Sequence, residues 1–140
     1  AGAAGATTAD SAAGATSATA DSAIALLVLA SLCDRNETGQ RLCLGLGLLG
    51  HARAFLRAKQ PMVRCWAALC VSRLVHGSPA AAAAMLEEEV VRRLAALLLD
   101  PAVEVRAAAV HALGALVGAL GVDGDEGMPA PLRPTGGGGG

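Results

Sequence analysis

Histidine, cysteine and serine are the side chains of this sequence whose chemistry could reach beyond packing. The three histidines, His51, His76 and His111, stand in no H-E-x-x-H pattern. None is followed directly by Glu, as an iron-holding His-Glu pair would require. Cys33, Cys43, Cys65 and Cys70 form no C-x-x-C pair, and each lies in an apolar helical run, which suits reduced, buried thiols of a cytosolic protein rather than a disulfide frame. Cys70 and His76 are six residues apart, a step that points them to different sides of a helix. Ser31 and Ser72 have no evident base. Gly45-Leu46-Gly47 lacks the preceding strand and the following Lys-Ser/Thr of a phosphate cradle. No catalytic, cofactor or metal set is expected, and the chain does not read as an enzyme.

The elements that must hold these residues are helices. The chain has 140 residues, enough for one domain, and 54% of them are apolar, much of that alanine. Phe55 and Trp66 are the only aromatics and are expected in the core rather than stacked on bases. Such a chain packs helix on helix at close range, not sheet on sheet. A net charge of −1 supplies no bulk field for nucleic acid or an anionic membrane. The apolar run from Ala23 to Cys33 is too short to cross a bilayer.

The organising stretch is DPAVEVRAAAVHALGALVG, Asp100 to Gly118. Asp100 is placed to cap a helix and Pro101 to open it. Val103, Val110, Leu113, Val117 and Leu120 form its expected apolar face, and Gly118 and Gly121 its end. The pattern recurs 42 residues earlier: Arg64 falls under Arg106, Val63 under Val105, Ala67 under Ala109, Val71 under Leu113 and Leu74 under Leu116. The preceding helices match too, with Leu86, Val90, Leu94 and Leu97 over Leu44, Leu48, Ala52 and Phe55. A two-helix unit at this period is the mark of HEAT and armadillo arrays. The expected fold is an all-α, HEAT/armadillo-like α-solenoid of about two and a half helical-hairpin repeats over residues 21–121.

Five helices are expected within it. Asp21 or Ser22 caps the first, which runs to about Asp34 with Ile24, Leu27, Val28 and Leu32 among its apolar residues. The others run from Gly39 to Arg57, Pro61 to His76, Pro79 to Leu99, and onward from Asp100. Gly45, Gly47 and Gly50 each weaken the second by roughly 1 kcal/mol relative to alanine, and close backbone packing is the expected compensation. Residues 1–20, all Ala, Gly, Thr and Ser with one Asp, are expected as a disordered linker, and the Gly/Pro-rich residues 122–140 as a disordered tail.

Asp100 and Arg106 carry a structural expectation. An Asp in the inter-helix turn and an Arg six residues on recur in HEAT units, where the Arg ties neighbouring repeats by charge-assisted hydrogen bonds. In the earlier repeat Arg64 is kept, but Ala58 replaces the Asp, so Arg64 is expected to bond Asp100 of the next unit. A second expectation concerns charge. Gly39 to His76 holds six basic residues and no acidic one. Within that stretch Arg53, Arg57 and Lys59 are the candidate surface for an acidic partner.

Three segments together resemble one family. TGQRLCL (Thr38 to Leu44), PMVRCWAALCVSRL (Pro61 to Leu74) and LLLDPAVEVRAAAVHALGALVG (Leu97 to Gly118) are similar to the helical-repeat region of raptor proteins, the regulatory scaffolds of the TOR kinase complex. The D-P-x-x-E-V-R segment is generic to HEAT repeats. The TGQ turn followed by the R-x-W helix is more specific. One departure is the run Ala80 to Ala84, where the family carries a tryptophan- and cysteine-containing segment. The resemblance implies a non-enzymatic, cytoplasmic scaffold in TOR signalling. It implies the TOR kinase as partner and, in some lineages, small GTPases at the lysosomal or vacuolar surface. Cofactors, nucleic acid and membrane insertion are not implied. The alternative is an unrelated HEAT/armadillo adaptor of the transport-receptor or phosphatase-scaffold type.

Overall fold

A computed structural model describes residues 7–87 and 89–121. Among these there is no strand, and seven helices follow one another: α1 (Thr7–Cys33), α2 (Glu37–Gly45), α3 (Leu48–Phe55), α4 (Pro61–Val75), α5 (Pro79–Glu87), α6 (Val90–Leu97) and α7 (Val103–Ala119). The 42-residue register holds at the level of single residues. Shifting α2 and α3 by that step reproduces the bounds of α5 and α6, and shifting Pro61 gives Val103, the first residue of α7.

The long helices form one layer. α4 lies between α1 and α7 and shares its largest interfaces with them. The short pairs α2–α3 and α5–α6 form the second layer and pack on the first. The α4 side chains Val63, Ala67, Ala68, Cys70, Val71, Leu74 and Val75 are buried at this junction, with Leu26, Leu56, Met85, Leu94 and Val105 from the surrounding helices. Each large aliphatic side chain taken out of water there contributes about 1.5–3 kcal/mol.

Each helix expected as one rod in the second layer is two. The breaks fall at Gly47 (φ 73°) and Glu89 (φ 57°), positions 42 residues apart, both left-handed. Glycine adopts that conformation freely and glutamate at a cost, so the first break is written in the sequence and the second is imposed by the stack. The turns after α1 and α4 share a similar device, with Arg35 (φ 52°) and Gly77 (φ 67°) in register. Gly45 and Gly50 do not support close packing: a Cβ on either would meet open space. The glycine that does is Gly39, where a Cβ would collide with the Leu32 carbonyl oxygen.

Three further expectations are corrected. The stretch expected as a linker is helical from Thr7, because α1 continues without a cap at Asp21 or Ser22; an alanine-rich segment has high helix propensity. Residues 1–6 and the tail 122–140 lie outside the described residues. α7 begins at Val103, with Ala102 at its N-cap. Asp100 instead turns the chain ahead of the helix, its Oδ1 accepting from the Ala102 N–H at 3.0 Å. α7 also buries a different face from the one expected. Its inward residues are Val105, Ala108, Ala109, Ala112, Leu116 and Ala119, while Val103, Val110, Val117 and Leu120 are exposed and Leu113 is half-buried. Close helix contact selects alanine, and the larger side chains are left outside. α1 does the same at the other end: Ala23, Leu26, Ala30 and Cys33 are buried, Ile24, Leu27, Val28 and Leu32 exposed.

Candidate functional site

The joint between the second and third long helices is held by Arg64 and Asp100. Arg64 Nε donates to Asp100 Oδ2 at 2.7 Å and Nη2 donates to Oδ1 at 2.9 Å. This is a bidentate pair with side-chain exposures of only 12% and 6%. The Arg64 hydrogen bonds hold the Asp100 carboxyl below its usual range, against the opposing effect of burial. Arg64 Nη1 also donates to the Ala58 and Lys59 carbonyls, each at 2.8 Å. One repeat on, Arg106 Nη1 donates to the matching carbonyls of Asp100 and Pro101, at 2.8 and 3.1 Å. Each arginine therefore ties its own turn. Arg64 in addition pairs directly with the carboxylate of the next turn, whereas Arg106 acts on the Asp100 carboxylate only through its charge.

The first joint uses a different device, which the sequence pattern did not reveal. Gln40 is 4% exposed. Its Nε2 donates to the carbonyls of Cys33 (3.2 Å), Arg73 (2.9 Å) and His76 (3.0 Å), joining the ends of α1 and α4 through α2. Its neighbour Gly39 lies against the end of α1, with its N–H donating to Asn36 Oδ1 at 3.2 Å. The TGQ turn is thus a structural clamp. Arg73 and Asp34 add a half-exposed ion pair at 2.8 Å, of a kind that contributes little.

His111 Nδ1 and the Ser72 hydroxyl lie 2.6 Å apart, linking α7 to α4; the tautomer decides which one donates. Ser72 is only 1% exposed, so its oxygen is closed to a substrate and the pair acts as a cross-link. His76 is exposed at the C-cap of α4, and His51 is exposed on α3. All four cysteines are free thiols. Burial pushes Cys33 and Cys70 up to about 12, with neighbouring Cys43 adding to both. Burial also raises Cys65, reinforced by Glu104. Such thiols are poor nucleophiles. Among the described residues no group of three or more His, Cys, Asp and Glu side chains is placed to hold a metal ion.

Of the basic candidates, Arg57 and Lys59 are exposed, whereas Arg53 is half-buried and close enough to Glu89 to help keep that carboxyl low, after the dominant Arg92 hydrogen bond. Phe55 and Trp66 are half-buried against the core. An open, apolar groove of about 470 Å³ lies between α1 and α3, lined by Leu26, Leu29, Leu48 and Phe55 with Asp21 and His51. No described helix is long and apolar enough to cross a membrane.

Stacked helical hairpins in a fixed register, cross-linked turn to turn, define an α-solenoid of HEAT type, and residues 90–120 match the HEAT repeat family. The chain is further similar to the "Protein raptor homolog" of Dictyostelium discoideum, 37% identical over 103 residues. It is similar also to the "Regulatory-associated protein of TOR 1" of Arabidopsis thaliana, at 35% over 102 residues, and the "Regulatory-associated protein of TOR 2" of Oryza sativa subsp. japonica, at 33% over 102 residues. The matches cover 74%, 68% and 68% of this chain. The chain spans only 7–8% of the length of these relatives.

Proposed function

We propose that this chain is the helical-repeat segment of a raptor-like regulatory subunit of the TOR kinase complex, and that it works as a non-enzymatic docking solenoid. The observation that carries the reading is the similarity to raptor proteins, at 33–37% identity over about 70% of the chain. The two-layer stack supports it. A rigid array of helices offers broad surfaces and no enclosed reaction centre. The partner is the TOR kinase, met in the cytoplasm. Small GTPases, and recruitment to a lysosomal or vacuolar surface, are further associations within this proposal.

The test is affinity capture. The tagged chain should recover the TOR kinase from a cell extract. Arg57→Glu with Lys59→Glu should weaken that capture and flatten its salt dependence together. A well-folded protein that recovers no kinase refutes the assignment. Undiminished capture by the charge-reversed protein removes this surface from it.

A further inference from the structure

An apolar cavity of about 440 Å³ lies where α4 and α7 begin, lined by Pro61, Met62, Cys65, Trp66 and Glu104. Met62 and Trp66 stand one helical turn apart on α4, so they share a face. Their counterparts 42 residues on are Glu104 and Ala108. α7 therefore sets a carboxylate and a methyl group against a thioether and an indole, and neither large side chain has an equal opposite it. Cys65 ties the two helices at this point, its Sγ donating to the Glu104 carbonyl at 3.6 Å.

The lining selects one kind of ligand. Pro61, Met62, Cys65 and Trp66 offer chiefly apolar surface, and Glu104 brings the charged group. A cleft of this size with a few placed polar groups is the usual form of a small-molecule site. The carboxylate repels an organic anion and gives a plain hydrocarbon nothing. It attracts a cation, which the indole of Trp66 also favours, while the thioether of Met62 adapts to an apolar body. Glu104 stands close enough to the cavity to help raise the Cys65 thiol, after burial. The arginines of these two helix starts are turned elsewhere: Arg64 and Arg106 donate to the carbonyls of their own turns. A lone lysine side chain would leave most of the space empty, so the cation must carry an apolar body.

We propose that this cavity binds a small apolar cation, an amine or guanidinium carried on an aromatic or hydrocarbon body. The body packs on Pro61, Met62 and Trp66, and the cation pairs with the Glu104 carboxylate. This role is independent of the kinase docking proposed above, so each can fail without the other.

Trp66 is the sole tryptophan and the chain has no tyrosine, so its emission reports on the cavity. The probe is phenylbutylamine, with phenylbutanol and phenylbutyrate as its neutral and anionic counterparts. The amine should shift Trp66 emission saturably. The alcohol should bind roughly tenfold more weakly, and the butyrate more weakly still. Glu104→Gln should bring the amine down to the level of the alcohol and remove its salt dependence, leaving the alcohol unchanged. Met62→Ala should weaken amine and alcohol alike. The amine should also slow iodoacetamide labelling of the half-buried Cys65. Met62 and Glu104 are exposed, and circular dichroism melts confirm that both variants fold. No saturable shift, an amine no tighter than the alcohol, undiminished binding by Glu104→Gln or unslowed Cys65 labelling would each overturn the proposal.

Discussion

Replacing Asp100 by alanine should loosen the third repeat from the second. The carboxylate accepts two charge-assisted bonds from Arg64, at 2.7 and 2.9 Å, and one from the Ala102 N–H at 3.0 Å. Truncating one partner of a buried, bonded pair costs about 3–5 kcal/mol. Here the lower end applies, because Arg64 keeps its Ala58 and Lys59 carbonyls. A loss of about 3 kcal/mol lowers the melting temperature by on the order of 10–20 °C in a domain of this size. Calorimetry measures it, and hydrogen exchange should localise the loss to α6 and α7. A double-mutant cycle with Arg64→Met should return roughly 2 kcal/mol of coupling. The pair also sets a pH dependence. The Asp100 carboxyl titrates lower in the folded chain than its ordinary 3.8, so the unfolded state binds more protons in that window. Its stabilisation is whole above that value and disappears as pH falls through the folded value; Asp100→Asn should lack this component. A melting temperature within a degree of the parent for Asp100→Ala would remove the ion pair from the account of the stack.

Glu89→Gly should raise the melting temperature by a few degrees, since the left-handed backbone there suits glycine, and a drop on scanning calorimetry would show that the break is not strained. Gln40→Leu should cost about 1–3 kcal/mol by leaving buried carbonyls without a donor, seen as a lower urea midpoint with faster exchange at the ends of α1 and α4. Cys33 and Cys70 should resist iodoacetamide at pH 8 in the native chain and react fully in denaturant; mass spectrometry finding either labelled in the folded state contradicts their burial.

The stacking register was legible in the sequence because both repeats spell it: Arg64 and Arg106, Leu74 and Leu116. The faces of α1 and α7 were not. In alanine-rich helices the buried positions are the small ones, Ala108, Ala109 and Ala112, so a search for large apolar side chains finds the wrong stripe. Gly47 announces its break, whereas Glu89 carries no local signal and follows only from the shared register. The contacts among site residues divide in the same way. Arg64 and Asp100 stand out through the missing Asp at Ala58, a comparison the sequence permits. Gln40 has alanine at the matching position, Ala82, so its three carbonyl partners lie outside any repeat logic.

The two seams of this molecule are fastened with unlike materials. Between α1 and α4 the buried link is a neutral amide, indifferent to acid or ionic strength. Between α4 and α7 it is a pair of opposite charges. Acidification therefore loosens the joint of the terminal hairpin, where the buried charges lie, more than the joint beneath it.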